Sequence, residues 1–193
     1  MKSLPVAGLL ALIVVPAIVT AQHAGAGAPP AVTAPHEATQ FDFLVGEWEL
    51  VVQPAATGLA AKLHGVPRLT GTWKAARALD GWGIEDDLRI SDASGNPRAF
   101  SHAVRVYDAA ARHWNSSSLD VYRASFVSAT AEWKDGQMVV TSRGTDGDGR
   151  AYVSRSRYYE VSPTSFRFQQ DRSLDDGRTW SDAVLKIAAK RVR

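Results

Sequence analysis

Between Trp82 and Ile90 the side chains alternate, and one face reads Trp82, Ile84, Asp86, Leu88, Ile90. A carboxylate in that apolar company needs a partner, because an unpaired buried charge costs several kcal/mol or takes up a proton. The next stretch offers two. His102 shares a face with Phe100, Val104 and Val106, and hydrophobicity alone turns that face inward; Arg105 shares the opposite face with Ser101, Ala103 and Tyr107. A guanidinium satisfies a carboxylate through two hydrogen bonds, so Arg105 is the expected partner of Asp86 and His102 the alternative. Either pairing places an acid/base couple where a small polar substrate could meet it.

The elements that position these groups follow from a period of two, which runs from Glu47 onward with turn signals every ten or so residues. Strands are expected at 46–53, 67–79, 82–91, 99–108, 113–122, 126–133, 138–144, 151–161, 165–171 and 180–190. The turns between them are short: Lys134-Asp135-Gly136-Gln137 centres Asp-Gly in a two-residue hairpin, and Ser162-Pro163-Thr164-Ser165 turns a later pair. Short turns join antiparallel neighbours, and so many strands in one open sheet would leave two long edges. The expected fold is therefore all-β: a single up-and-down antiparallel barrel of about eight to ten strands, whose interior admits side chains or one small ligand. Thr39 to Leu44 is expected to make a helical turn across one end.

Trp48, Trp73, Asp86, Arg105, Trp114 and Arg157 are the residues expected to line that interior and bind a ligand. Two mixed faces bear on its polarity: Trp114, Ser116, Ser118, Asp120 and Tyr122, and Arg155, Arg157 and Tyr159 with Val153 and Val161. Such faces are ordinarily the wet outside of a barrel. Turned inward, they make a cavity suited to an anionic or hydroxylated ligand rather than a bare fatty chain. Trp48, Trp73 and Trp82 suit a core more readily than a cofactor platform.

Other signatures reduce to turns or are absent. Ser173-x-Asp175-x-Gly177-x-Thr179-Trp180 fits an Asp-box, a hairpin repeated once per blade in sialidase-type propellers; it occurs once here and is expected to be structural. Asp146-x-Asp148-Gly149 starts like a calcium loop, but the twelfth position holds Arg157 rather than Glu. The histidines, His23, His36, His64, His102 and His113, form no pair at metal-ligand spacing, so no metal site is expected. There is no Gly-x-Ser-x-Gly elbow and no phosphate-cradling glycine loop. Cysteine is absent, which excludes disulfides, thiolate chemistry and an acylated lipoprotein cysteine. With 22 Lys+Arg against 20 Asp+Glu and no basic stripe, nucleic acid is not an expected partner. Nothing in the sequence sets an oligomeric state.

Met1 to Ala21 carries Lys2, then an apolar run from Leu4 to Val19, then Val19-Thr20-Ala21. This is the layout of a secretory signal peptide cut after Ala21. Pro5 and Pro16 and the short apolar span argue against a stable membrane anchor. Residues 22–37, rich in Ala, Gly and Pro, read as a disordered tether, and 38–193 as the barrel domain. The expected location is periplasmic or secreted, in a bacterium.

Phe41-Asp42-Phe43-Leu44-Val45-Gly46-Glu47-Trp48, then Val104-Arg105-Val106-Tyr107-Asp108 with Trp114, then Ser165-Phe166-Arg167-Phe168 leading to Trp180, resemble a group of uncharacterised secreted bacterial proteins with a lipocalin-like, calycin-type β-barrel. The resemblance spans about residues 38 to 191. It implies a barrel able to hold a small molecule, with Trp48 inside the closed end, and it implies no reaction. The related nitrobindin-like haem barrels rely on a histidine near the C-terminus; here the last histidine is His113, so no haem and no other cofactor is expected. Three readings follow: a small-molecule binder, an enzyme using Asp86 with His102 or Arg105, and an interaction protein whose barrel is filled and whose business lies on loops such as Gln53 to Val66.

Overall fold

A computed structural model describes residues 33–55 and 65–192; the expected signal peptide, most of the expected tether and the tip of the Gln53 to Val66 loop lie outside them. Two 3-10 turns, His36–Thr39 and Asp42–Leu44, precede ten strands. These are β1 (Gly46–Pro54), β2 (Leu69–Ala78), β3 (Gly83–Asp92), β4 (Pro97–Asp108) and β5 (His113–Asp120). They continue with β6 (Ser125–Lys134), β7 (Gln137–Thr145), β8 (Ala151–Tyr159), β9 (Ser165–Ser173) and β10 (Ser181–Arg191). Each strand pairs antiparallel with its sequence neighbours, and β1 pairs with β10 to close the barrel. Among the described residues no helix is long and apolar enough to cross a membrane.

No strand boundary departs from the alternation pattern by more than two residues, and local chemistry explains the departures. β5 stops at Asp120 because its carboxylate accepts the backbone N–H groups of Tyr122 and Arg123, each at 3.1 Å, which folds the chain into a turn. β8 stops at Tyr159 because Glu160 takes a φ of 50°, outside the extended region. The helical turn expected over Thr39 to Leu44 is instead two turns, the first closed by Thr39 Oγ1 donating to the His36 carbonyl at 2.8 Å.

These turns plug the end of the barrel where β1 begins. Phe41 and Leu44 are fully buried, each contributing about 1.5–3 kcal/mol of apolar transfer energy. The Phe41 ring meets Trp114 edge-on at 4.9 Å, and Trp114 Nε1 donates to Gln40 Oε1 at 3.1 Å. Trp48 Nε1 donates to the Leu44 carbonyl at 2.8 Å, and the Arg191 guanidinium lies 4.1 Å over the Trp48 ring. Arg77, on β2, reaches Asp42 in an ion pair. Phe166, Tyr158 and Trp73 continue this aromatic packing along the axis. Trp48 is therefore inside the closed end, as the resemblance implies.

Candidate functional site

Above the aromatic plug the interior turns polar. Asp86 lies on the inner face of β3 between Ile84 and Leu88, and Arg105 on the inner face of β4; they are only 4% and 9% exposed. In the β3–β4 ladder Asp86 stands opposite Ala103 and Ile84 opposite Arg105, so carboxylate and guanidinium are diagonal neighbours on one face. Asp86 Oδ2 and Arg105 Nη1 form an ion pair and, among the described residues, have no other hydrogen-bond partner, while Asp86 Oδ1 accepts the indole N–H of Trp73 at 2.7 Å. Both carboxylate oxygens are thus engaged within the barrel.

Burial lowers the Arg105 pKa, and the neighbouring Tyr158 opposes that shift. An arginine starts so high that it stays charged here. Burial likewise pushes the Tyr158 phenol above its ordinary value, with Arg105 opposing, so Tyr158 keeps its proton at neutral pH. Tyr158 adds a protonated phenol to the network that alternation and resemblance together did not single out.

His102 is not part of this network. Hydrophobic alternation turns Phe100, His102, Val104 and Val106 inward; the structure instead buries Ala103, Arg105 and Tyr107. His102 faces out, its Nδ1 2.9 Å from Asp87 Oδ1, with both side chains substantially exposed. The pleat explains the inversion. The plug already occupies the axis, so β4 has room inside for alanine and for a guanidinium that meets a carboxylate, while β-branched valines are well placed on the outer face of a strand.

A cavity of about 210 Å³ sits on the ion pair. At about 30 Å³ per water in the liquid, that is room for about seven water molecules. Trp73, Asp86, Arg105 and Tyr158 face it from one side, and Ser116, Ser118, Ser142, Ser156 and Gln170 supply hydroxyls and an amide around the wall. Ser116 and Ser118 spend their protons on the carbonyls of Ala129 and Val127, at 3.3 and 3.4 Å. Their oxygens still have lone pairs for a ligand donor. Ser142 Oγ bonds Ser154 Oγ at 2.7 Å, and Gln170 Nε2 donates to Ser156 Oγ at 3.4 Å. Leu88, Val127, Val140 and Phe168 fill the gaps between them. The chemistry on offer is a charge-paired floor, a neutral phenol and a ring of mostly acceptor hydroxyls.

The structure therefore sorts the six expected lining residues. Trp73, Asp86 and Arg105 line the cavity. Trp48 and Trp114 are wholly buried in the plug below it and do not reach it. Arg157 corrects the expectation: it points out of the barrel. On β8 the inward set is Ser154, Ser156 and Tyr158, and Arg157 lies with Arg155 on the outer face beside Asp171. Of the two mixed faces, Ser116 and Ser118 do turn inward, whereas the arginine face does not.

Asp171, missed in the sequence, is 1% exposed although it lies on the outer face of β9. It accepts the Ala183 backbone N–H at 2.9 Å, Gln169 Nε2 at 2.8 Å and Arg155 Nη2 at 3.2 Å, with Arg157 Nη2 at 3.7 Å. Burial raises its pKa, but the hydrogen bonds from Ala183, Gln169 and Arg155 outweigh it and leave the carboxyl below its usual range. These contacts pin the bulge in β10 between Ser181 and Leu185, and the role is structural.

The Asp-box is a hairpin as expected. Asp175 Oδ1 accepts the Thr179 N–H at 2.8 Å, Asp175 Oδ2 accepts the Thr179 hydroxyl at 2.6 Å, and Trp180 Nε1 donates to the Gly177 carbonyl at 3.1 Å. Trp180 lies beneath the Arg155 guanidinium, 4.5 Å from it. Asp146 is a turn residue: it accepts the N–H groups of Asp148 and Arg150, at 3.0 and 2.9 Å, and pairs with the Arg150 side chain.

No family model matches the chain, and no curated protein matches it. Solved structures do. The S-type phycobiliprotein lyase CPES from Guillardia theta superposes with a TM-score of 0.52 at 12% identity, over 80% of this chain and 91% of that one. A looser match, with a TM-score of 0.41 at 10% identity over 80% of this chain and 98% of that one, is EF1p2_mFAP2b bound to DFHBI. The fold is a ten-stranded, lipocalin-like closed barrel.

Proposed function

We propose that this is an exported protein whose barrel binds one small polar molecule against the Asp86–Arg105 pair. The observation that carries the reading is the cavity of about 210 Å³ resting on that pair. A buried ion pair is a poor means of stabilising a core, since apolar residues of similar volume often do as well or better. Here it borders unfilled space, with hydroxyls around the wall. Those are the features of a pocket that orients a ligand through a few polar groups on an apolar frame. The volume suits a ligand, or the inserted part of one, of about seven water equivalents. Export rests on Lys2, the apolar run Leu4 to Val19 and the small residues before Gln22.

A thermal-shift screen of small hydroxylated, amide and carboxylated aromatics tests the binding reading. At least one compound should stabilise the wild-type barrel and lose its effect when Asp86→Leu and Arg105→Met are combined. Hits that persist in the double variant would place binding elsewhere. N-terminal sequencing of protein recovered from a bacterial periplasm should begin at Gln22; a mature chain that retains Met1 would rule out the cleaved leader.

A further inference from the structure

One cation on the inner face of the barrel has no counter-ion among the described residues. Arg172 belongs to the inward set of β9, two residues beyond Gln170, which lines the cavity, and opposite Ser154, which bonds the cavity-wall Ser142. Among the described residues its guanidinium makes no hydrogen bond and no ion pair, and its Nε is buried with no partner. The carboxylates on its own strand and in the following turn are committed elsewhere, and Asp182, next to Ser181, which pairs with Arg172 in the β9–β10 ladder, is exposed and forms no ion pair with it. Asp171, the preceding residue, points outward into Ala183, Gln169 and Arg155. Asp175 is held by Thr179 and Ser173, and Asp176 by Arg143. Asp86 is taken by Arg105 and Trp73.

Arg172 is also held in place. Its Cζ stands 4.3 Å over the ring of Tyr152, and Tyr152 lies across Gly144, its partner in the β7–β8 ladder. A Cβ at 144 would come within 2.6 Å of the Tyr152 hydroxyl, so any larger residue there would have to displace that ring. Gly144, Tyr152 and Arg172 thus form a stacked platform that presents an uncompensated positive charge one rung from the cavity wall. Stacking on an aromatic face leaves the edge of the guanidinium, with its fork of N–H donors, free. That edge matches a carboxylate in geometry as well as charge.

We infer that the ligand is a small carboxylic acid, its carboxylate on Arg172 and its body in the serine-lined cavity. This rests on the interior-binding reading and adds the charge class of the ligand. The remaining interior groups agree with it: the hydroxyls and Tyr158 suit a polar or aromatic body, and the Asp86–Arg105 pair, already neutral as a unit, asks for no second charge.

The test compares two isosteric pairs by isothermal titration calorimetry: benzoate with benzamide, and indole-3-acetate with indole-3-acetamide. The wild-type protein should prefer the acid of each pair by at least about tenfold, about 1.4 kcal/mol. Arg172→Met should bring that ratio close to one, and Arg172→Lys should retain part of it. Equal affinity for acid and amide in the wild type overturns this inference and leaves interior binding standing, and so does an acid preference that survives Arg172→Met. If neither member of either pair binds, the inference fails, and the thermal-shift screen alone decides the interior-binding reading. The wild-type ratio decides the matter even where a variant does not fold.

Discussion

Trp48 and Trp73 stand directly opposite each other in the β1–β2 ladder, yet their indole N–H groups do unlike jobs. Trp48 donates down to the Leu44 carbonyl and locks the plug; Trp73 donates up to Asp86 and steadies the cavity floor. One cross-strand pair thus marks the boundary between the part of the interior that is packed solid and the part that holds the cavity.

The ion pair above that boundary sets a stability test. Asp86→Leu alone strands a buried guanidinium and should cost about 3–5 kcal/mol in urea denaturation. Adding Arg105→Met should recover most of that loss, because an apolar pair of similar volume is often neutral or better. A single variant as stable as wild type would mean that the pair is solvated, contrary to the burial seen here.

Gly46 makes a second point of control. Its φ is +124°, and a Cβ there would fall 2.2 Å from Arg191 Nη1. Gly46→Ala should therefore push Arg191 off the Trp48 ring and cost about 1–3 kcal/mol, the range for a residue forced into a sparsely populated region. Arg191→Ala should be destabilising as well, and the two losses should not add, since they remove one shared contact. Strictly additive midpoints would show that glycine and arginine act independently.

Two turn carboxylates give the pH dependence its direction. The Thr179 hydroxyl, followed by the Thr179 N–H and Ser173, holds Asp175 at about 2 in place of 3.8. The side chain of Asn96, aided by its backbone, by Arg98 and by Ser94, outweighs desolvation and holds Asp92 at about 2 as well. The folded forms bind protons less readily than the unfolded chain. Their contribution is therefore complete above about pH 4 and is lost as the pH falls through about 2. Urea midpoints taken from pH 5 downward should drop across that window, and Asp175→Asn should flatten the slope. An unchanged slope in the variant would mean that the Asp-box carboxylate is not held by its turn.

Arg157 separates the outer face from the inner. Because it lies outside the barrel beside Asp171, Arg157→Gln should change benzoate affinity by no more than about twofold, the scatter expected of distant sites. Titration calorimetry on this variant and on Arg172→Met distinguishes the two arginine faces. A loss at Arg157 matching that at Arg172 would contradict the facing of β8.

Strand order and boundaries were legible because alternation and turn chemistry point to the same answer at nearly every hairpin, as at Lys134-Asp135-Gly136-Gln137, where Lys134 pairs with Gln137. The Asp86–Arg105 pair was legible because a carboxylate between Ile84 and Leu88 must be neutralised. Facing was harder. On β8 both faces are polar, and what separates Ser154, Ser156 and Tyr158 from Arg155 and Arg157 is the room left beside a plug that comes from a different part of the chain. Val104 and Val106 mislead for the same reason. Asp171 was illegible, since its burial depends on a bulge in β10 that nothing near residue 171 announces.

Closure joins the earliest strand to the latest: Trp48 aligns with Arg191, and Val192 N–H donates to the Glu47 carbonyl at 2.9 Å. Contacts this far apart in sequence form slowly, because the whole intervening chain must be brought round before they reward it. As the chain folds, β1 would wait with an unpaired edge until the eleven residues of β10 had arrived to pair with it. Loss of even that final segment would leave two adhesive borders in place of a seam, and the nascent ribbon would turn to other copies of itself.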